Sequence, residues 1–572
     1  MPYMSPVADY QFIFENLVGF DQLAQTEVFA EATPDMRDAI LGEAGKLADT
    51  VMAPLNRGGD LTPSRLENGV VRTSPGFAEG FKKIAEGGWV GMCANPEHGG
   101  MGLPQALGAA VADMMSGACL ALQLCPLLSQ GQIEALEHHA SDELKVLYLP
   151  KLTSGEWTGT MNLTEPQAGS DVGALKSKAV ANGDGSYAIS GQKIFITWGD
   201  HDAAENICHL VLARLPEGGE GTKGISLFLV PKFIPDAAGN PGVANSLKVV
   251  SLEHKMGIHG SPTAVMQYDG ATGWLIGQAQ GGMKAMFTMM NNARLGVAAQ
   301  GVGMAEGAFQ HALAFAQERK QGRTPVPGKG AIFDHADVRR MLMAMRADTF
   351  AARAICASNA VAIDMAKATG SADWQTRAAL LTPISKAFCT DVAVEVANTG
   401  VQVFGGMGFI EETGAAQYAR DARILPIYEG TNGIQAMDLV ARKMADGGDG
   451  ANALLDEIVA GTKAAQDCHA DLAKPVYAAA ETLREAVDYL ASQSDLNARF
   501  AVAVPFLRAF ARVLGAHYHL QSALSETGEG PRTALAQFYI RRLLPEHQGL
   551  CDMLRQGTDG LYAMTADQML AG

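Results

Sequence analysis

The sequence predicts a mainly α-helical chain with a central β domain and a further helical segment at the C-terminal end, and three changes of residue pattern carry that prediction. Up to about residue 155, Ala, Leu and Met recur at helical spacing, as in the stretch from Ala106 to Met115. From about 156 the pattern turns strand-like, and beyond about 275 helical periodicity returns in long stretches with few breakers. The expected domains are therefore 1–155, helical; 156–275, β; 276–448, a helical bundle; and 449–572, an additional helical domain.

Each element has a local reason. Asn182-Gly183-Asp184-Gly185 stands between Lys178-Ala179-Val180 and Tyr187-Ala188-Ile189-Ser190, which reads as a hairpin. The run Ile225 to Pro231 is a short apolar strand closed by proline. Asp446-Gly447-Gly448-Asp449-Gly450 reads as a linker, and after it the stretch Phe506 to Leu514 keeps its apolar residues on one helical face. No repeat of fixed period and no low-complexity tract is present.

Composition narrows the function. A chain of 572 residues has room for several cores, and its 48% apolar content is that of a globular protein. No uninterrupted run of 18 apolar residues occurs, so no membrane span is expected. Residues 1–31 carry five carboxylates and neither Lys nor Arg, unlike a targeting segment, so a cytoplasmic location is expected. The net charge of −17 disfavours a phosphate backbone as partner, hence no nucleic acid. The eight cysteines show no C-x-x-C pairing and read as reduced, mostly buried thiols. The histidine pairs His138-His139 and His254/His259 lack co-ligands at metal spacing, so no metal site is expected.

Three segments carry chemistry. Ile427-Tyr428-Glu429-Gly430-Thr431 sets one carboxylate in a glycine-flanked turn beside a ring and a hydroxyl, making Glu429 a candidate base. The stretches Leu163 to Asp171 and Gly191 to Thr197 supply hydroxyls and backbone amides on strand and turn. In this order the three segments resemble those of the acyl-CoA dehydrogenases, from about the start of the chain to about Met444. The remaining C-terminal stretch resembles the extension of that family's longer branch.

The resemblance implies a helical bundle, a small β-sheet domain and a second bundle, with FAD as cofactor and an acyl-CoA thioester as substrate. Glu429 matches the family's α-proton base, while a hydride leaves the β-carbon for flavin N5. Apolar walls are expected to raise the pKa of that carboxyl into a useful range. The alternative base position of the family is here Ala293, which cannot serve. Met161, Leu163, Thr164, Gly169, Ser170, Phe195, Thr197 and Thr431 match cofactor-binding positions, Phe195 standing where the family commonly has tryptophan. Arg319, in Gln317-Glu318-Arg319-Lys320, and Gln402, Gly405 and Gly406, in the stretch Val401 to Phe409, match segments that reach the flavin of a neighbouring subunit. A homo-oligomer follows, a dimer being favoured.

Ser170, Asn291, Arg294, Tyr428 and Gly430 are assigned by the same resemblance to the substrate site, Arg294 matching an arginine that helps position the glutamate turn. Met286, Met289 and Met290 stand near the expected acyl pocket. Insertions around Pro235 to Pro241 and Thr324 to Gly330 are typical of the longer branch. The overall pattern, including Tyr10-Gln11-Phe12 and Met256 to Thr263, is most similar to family members acting on 3-methylthiopropanoyl-CoA. Electron-transfer flavoprotein is the expected acceptor. The alternatives are a dehydrogenase for medium or long straight chains, an oxidase or monooxygenase of the same fold, and a non-catalytic scaffold.

Overall fold

A computed structural model describes residues 3–571 apart from 325, 327, 329 and 527, so that Pro325, Pro327 and Lys329 of one predicted insertion lie outside it. The chain divides into two compact units, one formed by Ala39–Gly296 with the few residues before Val7, the other by Val7–Asp38 with Val297 onward.

The Ala39–Gly296 unit holds a seven-stranded sheet among its described residues. Its strands are β1 (Trp157–Asn162), β2 (Lys178–Ala181), β3 (Tyr187–Thr197), β4 (Asn206–Arg214), β5 (Ile225–Pro231), β6 (Leu247–Leu252) and β7 (Thr263–Ile276). The order is β6-β7-β3-β2-β4-β1, with β5 paired to both β7 and β4. β4 and β5 are buried on both faces and are mostly apolar, with Asn206, His209 and Ser226 buried among them, whereas β7 largely alternates between buried and half-exposed residues. The predicted hairpin joins β2 to β3, with Asp184 Oδ1 accepting from Ser186 N (2.9 Å) and Ser186 Oγ (2.6 Å). The insertion at Pro235 to Pro241 is the tip of a second short hairpin, where Asp236 Oδ1 accepts from the N–H groups of Ala238 and Asn240, both at 2.9 Å.

Packed on β1 in this unit is helix α1 (Gln105–His139). By length and composition it is apolar enough to cross a membrane, although it contains no uninterrupted run of 18 apolar residues. Its most apolar window is wholly buried within the structure, as in a core helix.

In the other unit, long helices α2 (Ala336–Thr369) and α3 (Ala372–Phe404) pack against each other and against α6 (Ala503–Leu524), which lies beyond the expected linker. That linker is a capped turn: Asp446 accepts from the N–H groups of Gly448 and Gly450, both at 2.9 Å, and helix α5 (Asp449–Ala464) starts at once. The short helix α4 (Asn432–Asp438) precedes it. Buried ion pairs bind distant segments of this unit together. Asp9 lies 2.7 Å from Arg346 and 3.1 Å from Arg353, and Arg353 lies 2.9 Å from Glu306. Burial opposes ionisation of Asp9, but the two arginines outweigh it and its pKa is lowered. Arg512 on α6 likewise pairs with Asp348 on α2.

Among the described residues no disulfide forms, and Cys119, Cys125, Cys208, Cys356, Cys389 and Cys551 are buried.

Candidate active site

In the helical unit, the chain between Leu425 and Thr431 folds as a tight turn in which Glu429 has φ +56° and Gly430 φ +85°. A left-handed conformation in a residue with a Cβ costs about 1–3 kcal/mol and persists only where the surroundings over-determine it. Here they do. Lys386 on α3, fully buried, donates from Nζ to Leu425 O (3.1 Å), Gly430 O (2.9 Å) and Asn432 Oδ1 (2.9 Å). Gln435 donates from Nε2 to Glu429 O at 3.2 Å. Tyr428 donates its phenolic hydrogen to the buried Gln300. Burial, and secondarily the neighbouring Glu429 carboxylate, pushes the Tyr428 phenol well up, so it stays a donor at neutral pH. Glu429 is only partly buried, with Gly430 and Thr431 in the same condition beside it. Thr431 also serves locally: its Oγ1 accepts from Ile434 N (3.3 Å) and so caps α4.

In the sheet unit, the second predicted segment runs off the end of β1. Met161, Leu163 and Thr164 are half-buried, and Gly169 and Ser170 are exposed. Two bonds bring this turn to β3: Ile194 N donates to Thr164 O (2.9 Å) and Lys193 Nζ to Leu163 O (3.1 Å). Glu165 accepts from Lys193 Nζ (2.8 Å), Ser177 N (3.1 Å) and Ser177 Oγ (2.6 Å) through Oε1, and from Lys176 N (2.7 Å) through Oε2. Burial alone would raise its pKa, yet these partners hold it at about 2. Lys193 is lowered to about 8, because burial outweighs the attraction of Glu165. Both groups are therefore charged at neutral pH.

Phe195 is 59% exposed and has φ +61°. Its setting explains this: between the pairs Ala264↔Ile196 and Met266↔Lys193, β3 advances three residues while β7 advances two, so β3 bulges there. The bulge turns an aromatic ring outward, next to the half-buried Thr197. Three residues on, Trp198 faces the other way, 1% exposed, its Nε1 donating to Ala121 O on α1 at 3.2 Å. It is a core residue.

The remaining expected residues are divided between the two units. Asn291 is exposed, and the buried Arg294 has Nη1 3.4 Å from its Oδ1. Arg319 is exposed and, among the described residues, its guanidinium has no partner. Gln402 is exposed near the end of α3, where Gly405 has φ +61° and ψ −140°, a conformation open to glycine. A Cβ at Gly169, Gly405 or Gly406 would meet nothing within 4 Å. In the sheet unit the uncovered ring of Phe195 and the open Gly169 suit a planar heterocycle, and in the helical unit the exposed Arg319 and the open Gly405 and Gly406 suit a diphosphate, so the residues of each unit fit a part of a flavin dinucleotide.

Sequence reasoning passed over Lys386, Gln435, Asn432, Lys193 and Glu165 as site residues. Lys386 carried a signal nonetheless: a single cation in the apolar run Ile384-Ser385-Lys386-Ala387-Phe388.

Comparison with known proteins finds matches along most of the chain. The acyl-CoA dehydrogenase N-terminal, middle and C-terminal domain families match residues 62–156, 160–271 and 280–444, and an acetyl-CoA dehydrogenase C-terminal-like family matches 454–565. A 3-methylmercaptopropionyl-CoA dehydrogenase from Ruegeria pomeroyi is 47% identical over 89% of this chain and 88% of its own. A butyryl-CoA dehydrogenase from Syntrophomonas wolfei is 35% identical over 77% of this chain and 75% of its own. The crystal structure of an acyl-CoA dehydrogenase complexed with FAD from Bacillus anthracis shares the fold, with a TM-score of 0.71, 20% identity and coverage of 99% of this chain and 89% of that one.

Proposed function

The chain belongs to the acyl-CoA dehydrogenase family, oxidoreductases acting on CH–CH groups, and on that premise we propose that it converts a short acyl-CoA thioester to the 2-enoyl-CoA, with 3-methylthiopropanoyl-CoA the favoured substrate. The observation that carries the assignment of the base is the Glu429 turn, where a glutamate with a reachable carboxylate is held left-handed by buried donors. In this reading the α C–H bond breaks and its proton passes to the Glu429 carboxylate. The N–H of Glu429 donates to the thioester carbonyl and stabilises the enolate-like charge that develops. FAD, when bound, would supply the hydride acceptor for the β-hydrogen.

Met161, Leu163, Thr164, Gly169, Ser170, Phe195, Thr197 and Thr431 would hold the cofactor, with Arg319, Gln402, Gly405 and Gly406 serving that of a second subunit in a homodimer. Asn291, Arg294, Tyr428 and Gly430 would bind the substrate together with Ser170. The outward ring of Phe195 and the exposed Arg319 support this division, since each presents a group that a flavin or its diphosphate would cover. Electron-transfer flavoprotein is the proposed acceptor. The favoured acyl group follows the Ruegeria relative, which spans most of both chains.

The test is anaerobic bleaching of the purified yellow protein by a panel of straight, branched and thioether acyl-CoAs, followed by exposure to oxygen. Rapid bleaching by the thioether substrate with slow reoxidation in air is expected. No bleaching by any acyl-CoA, or fast turnover with oxygen, would overturn the reading.

A further inference from the structure

We propose that Lys386 is a positioning residue for the Glu429 turn: its buried ammonium gathers Leu425 O, Gly430 O and Asn432 Oδ1, and so sets the direction in which Glu429 presents its carboxylate and its N–H. The proposal rests on the reading of Glu429 as the base.

An ammonium has three hydrogens and no acceptor, and three acceptors meet it here, all supplied by the segment that contains Glu429. Taking such a group out of water is costly and is tolerated only where acceptors replace the lost hydration. Lys386 is 0% exposed, and these three acceptors of the turn replace water around its ammonium. On the far side, Asn432 donates from Nδ2 to Asp391 Oδ1 at 2.7 Å. One carboxamide thus stands between a buried cation and an anion, and ties both to the first residue of α4.

The geometry gives the cation a specific task. Glu429 and Gly430 are consecutive left-handed residues, and the carbonyl of Gly430 points at Lys386 while that of Glu429 points at Gln435. Without the ammonium, the carbonyl of Gly430 loses its shorter bond and keeps only Gln435 Nε2 at 3.4 Å, so the turn is held less firmly. Glu429 can then relax toward the right-handed region that a residue with a Cβ prefers. That relaxation swings the side chain and the N–H together, misaligning both groups the reaction uses. A misplacement of about 1 Å at a reacting group costs on the order of a hundredfold in rate.

The experiment compares wild type, Lys386→Met and Glu429→Gln as holoenzymes, reading FAD content, the limiting rate of anaerobic bleaching by 3-methylthiopropanoyl-CoA, and the apparent Kd from the same titration. Lys386→Met should stay yellow, bleach at least a hundredfold more slowly and change the Kd less than threefold. Bleaching within threefold of wild type, while Glu429→Gln is inactive, overturns the role of Lys386 and leaves Glu429 as base. A rate loss that merely follows lost FAD or weakened substrate binding also overturns it. Normal bleaching by Glu429→Gln instead removes the reading on which the proposal stands. Should Lys386→Met prove insoluble, Asn432→Ala, which removes one acceptor and keeps the cation, should slow bleaching at least tenfold, and an unchanged rate overturns the proposal.

Discussion

Glu165 and Lys193 form a fully buried ion pair, Oε1 to Nζ 2.8 Å, that fastens the turn after β1 to strand β3. The carboxylate also accepts from Ser177 and from the Lys176 N–H, and the ammonium also donates to Leu163 O. The pair is thus the structural support of the segment proposed to hold the flavin.

Glu165→Gln leaves the Lys193 charge buried without its counter-ion. Removing one partner of a buried pair costs about 3–5 kcal/mol. Urea unfolding should show a loss of that order, with freer release of FAD seen as a rise in flavin fluorescence. A loss below about 1 kcal/mol would show that the pair is not needed.

The same pair gives an acid dependence with a definite sign. The Glu165 pKa is lowered from 4.5 to about 2, so its contribution is complete above pH 4.5 and is lost as the pH falls from 4.5 toward 2. Wild type should therefore lose stability across that window more steeply than Glu165→Gln. Parallel pH profiles for the two proteins would contradict this.

Glu429→Gln preserves the size of the side chain and removes its basicity. It should keep FAD and reduce the rate of bleaching by about 10²–10⁴-fold, the usual contribution of a general base. Stopped-flow absorbance under argon measures this directly, and a rate near wild type would exclude Glu429 as the base.

Arg319→Ala removes an exposed guanidinium proposed to pair with the diphosphate of a neighbour's cofactor. Flavin retention and subunit association should weaken together, read by absorbance after gel filtration and by light scattering. A variant that remains fully yellow and fully oligomeric argues against a shared site.

Substrate choice should be broad at short length. A thioether is close to a methylene in shape and polarity, and discrimination per methylene is only about 1–3 kcal/mol. Butanoyl- and pentanoyl-CoA should therefore bleach the flavin alongside 3-methylthiopropanoyl-CoA, and palmitoyl-CoA poorly. Efficient reaction of palmitoyl-CoA with none of the short substrates would reassign the acyl group.

Much of the local structure was legible in the chain. The apolar run Ile225 to Pro231 is β5 from end to end, the Asn-Gly-Asp-Gly stretch is a hairpin loop, and the glycine after Glu429 lies in a tight turn. These follow from periodicity and from backbone preferences of neighbouring residues, which act over a few positions and need no distant partner. The membrane test on α1 shows the limit of the same reasoning, since apolarity measures preference for burial and not what does the burying.

Only the tertiary structure decided which polar groups meet. Lys386 lies 44 residues from the carbonyl of Gly430, Lys193 lies 28 from Glu165, and Arg512 lies 164 from Asp348. No periodicity encodes such pairings, because a buried charge is specified by the acceptors that folding brings to it. The outward ring of Phe195 is of the same kind: strand alternation alone does not reveal a bulge, which arises when β7 offers one residue fewer than β3 across the pair. The sequence by itself determined the family, the order of helices and strands, and a glutamate in a turn. The fold determined what holds that glutamate, since the left-handed backbone at Glu429 persists through Gln435 on the next helix and through Lys386, which the sequence leaves 44 residues from Gly430.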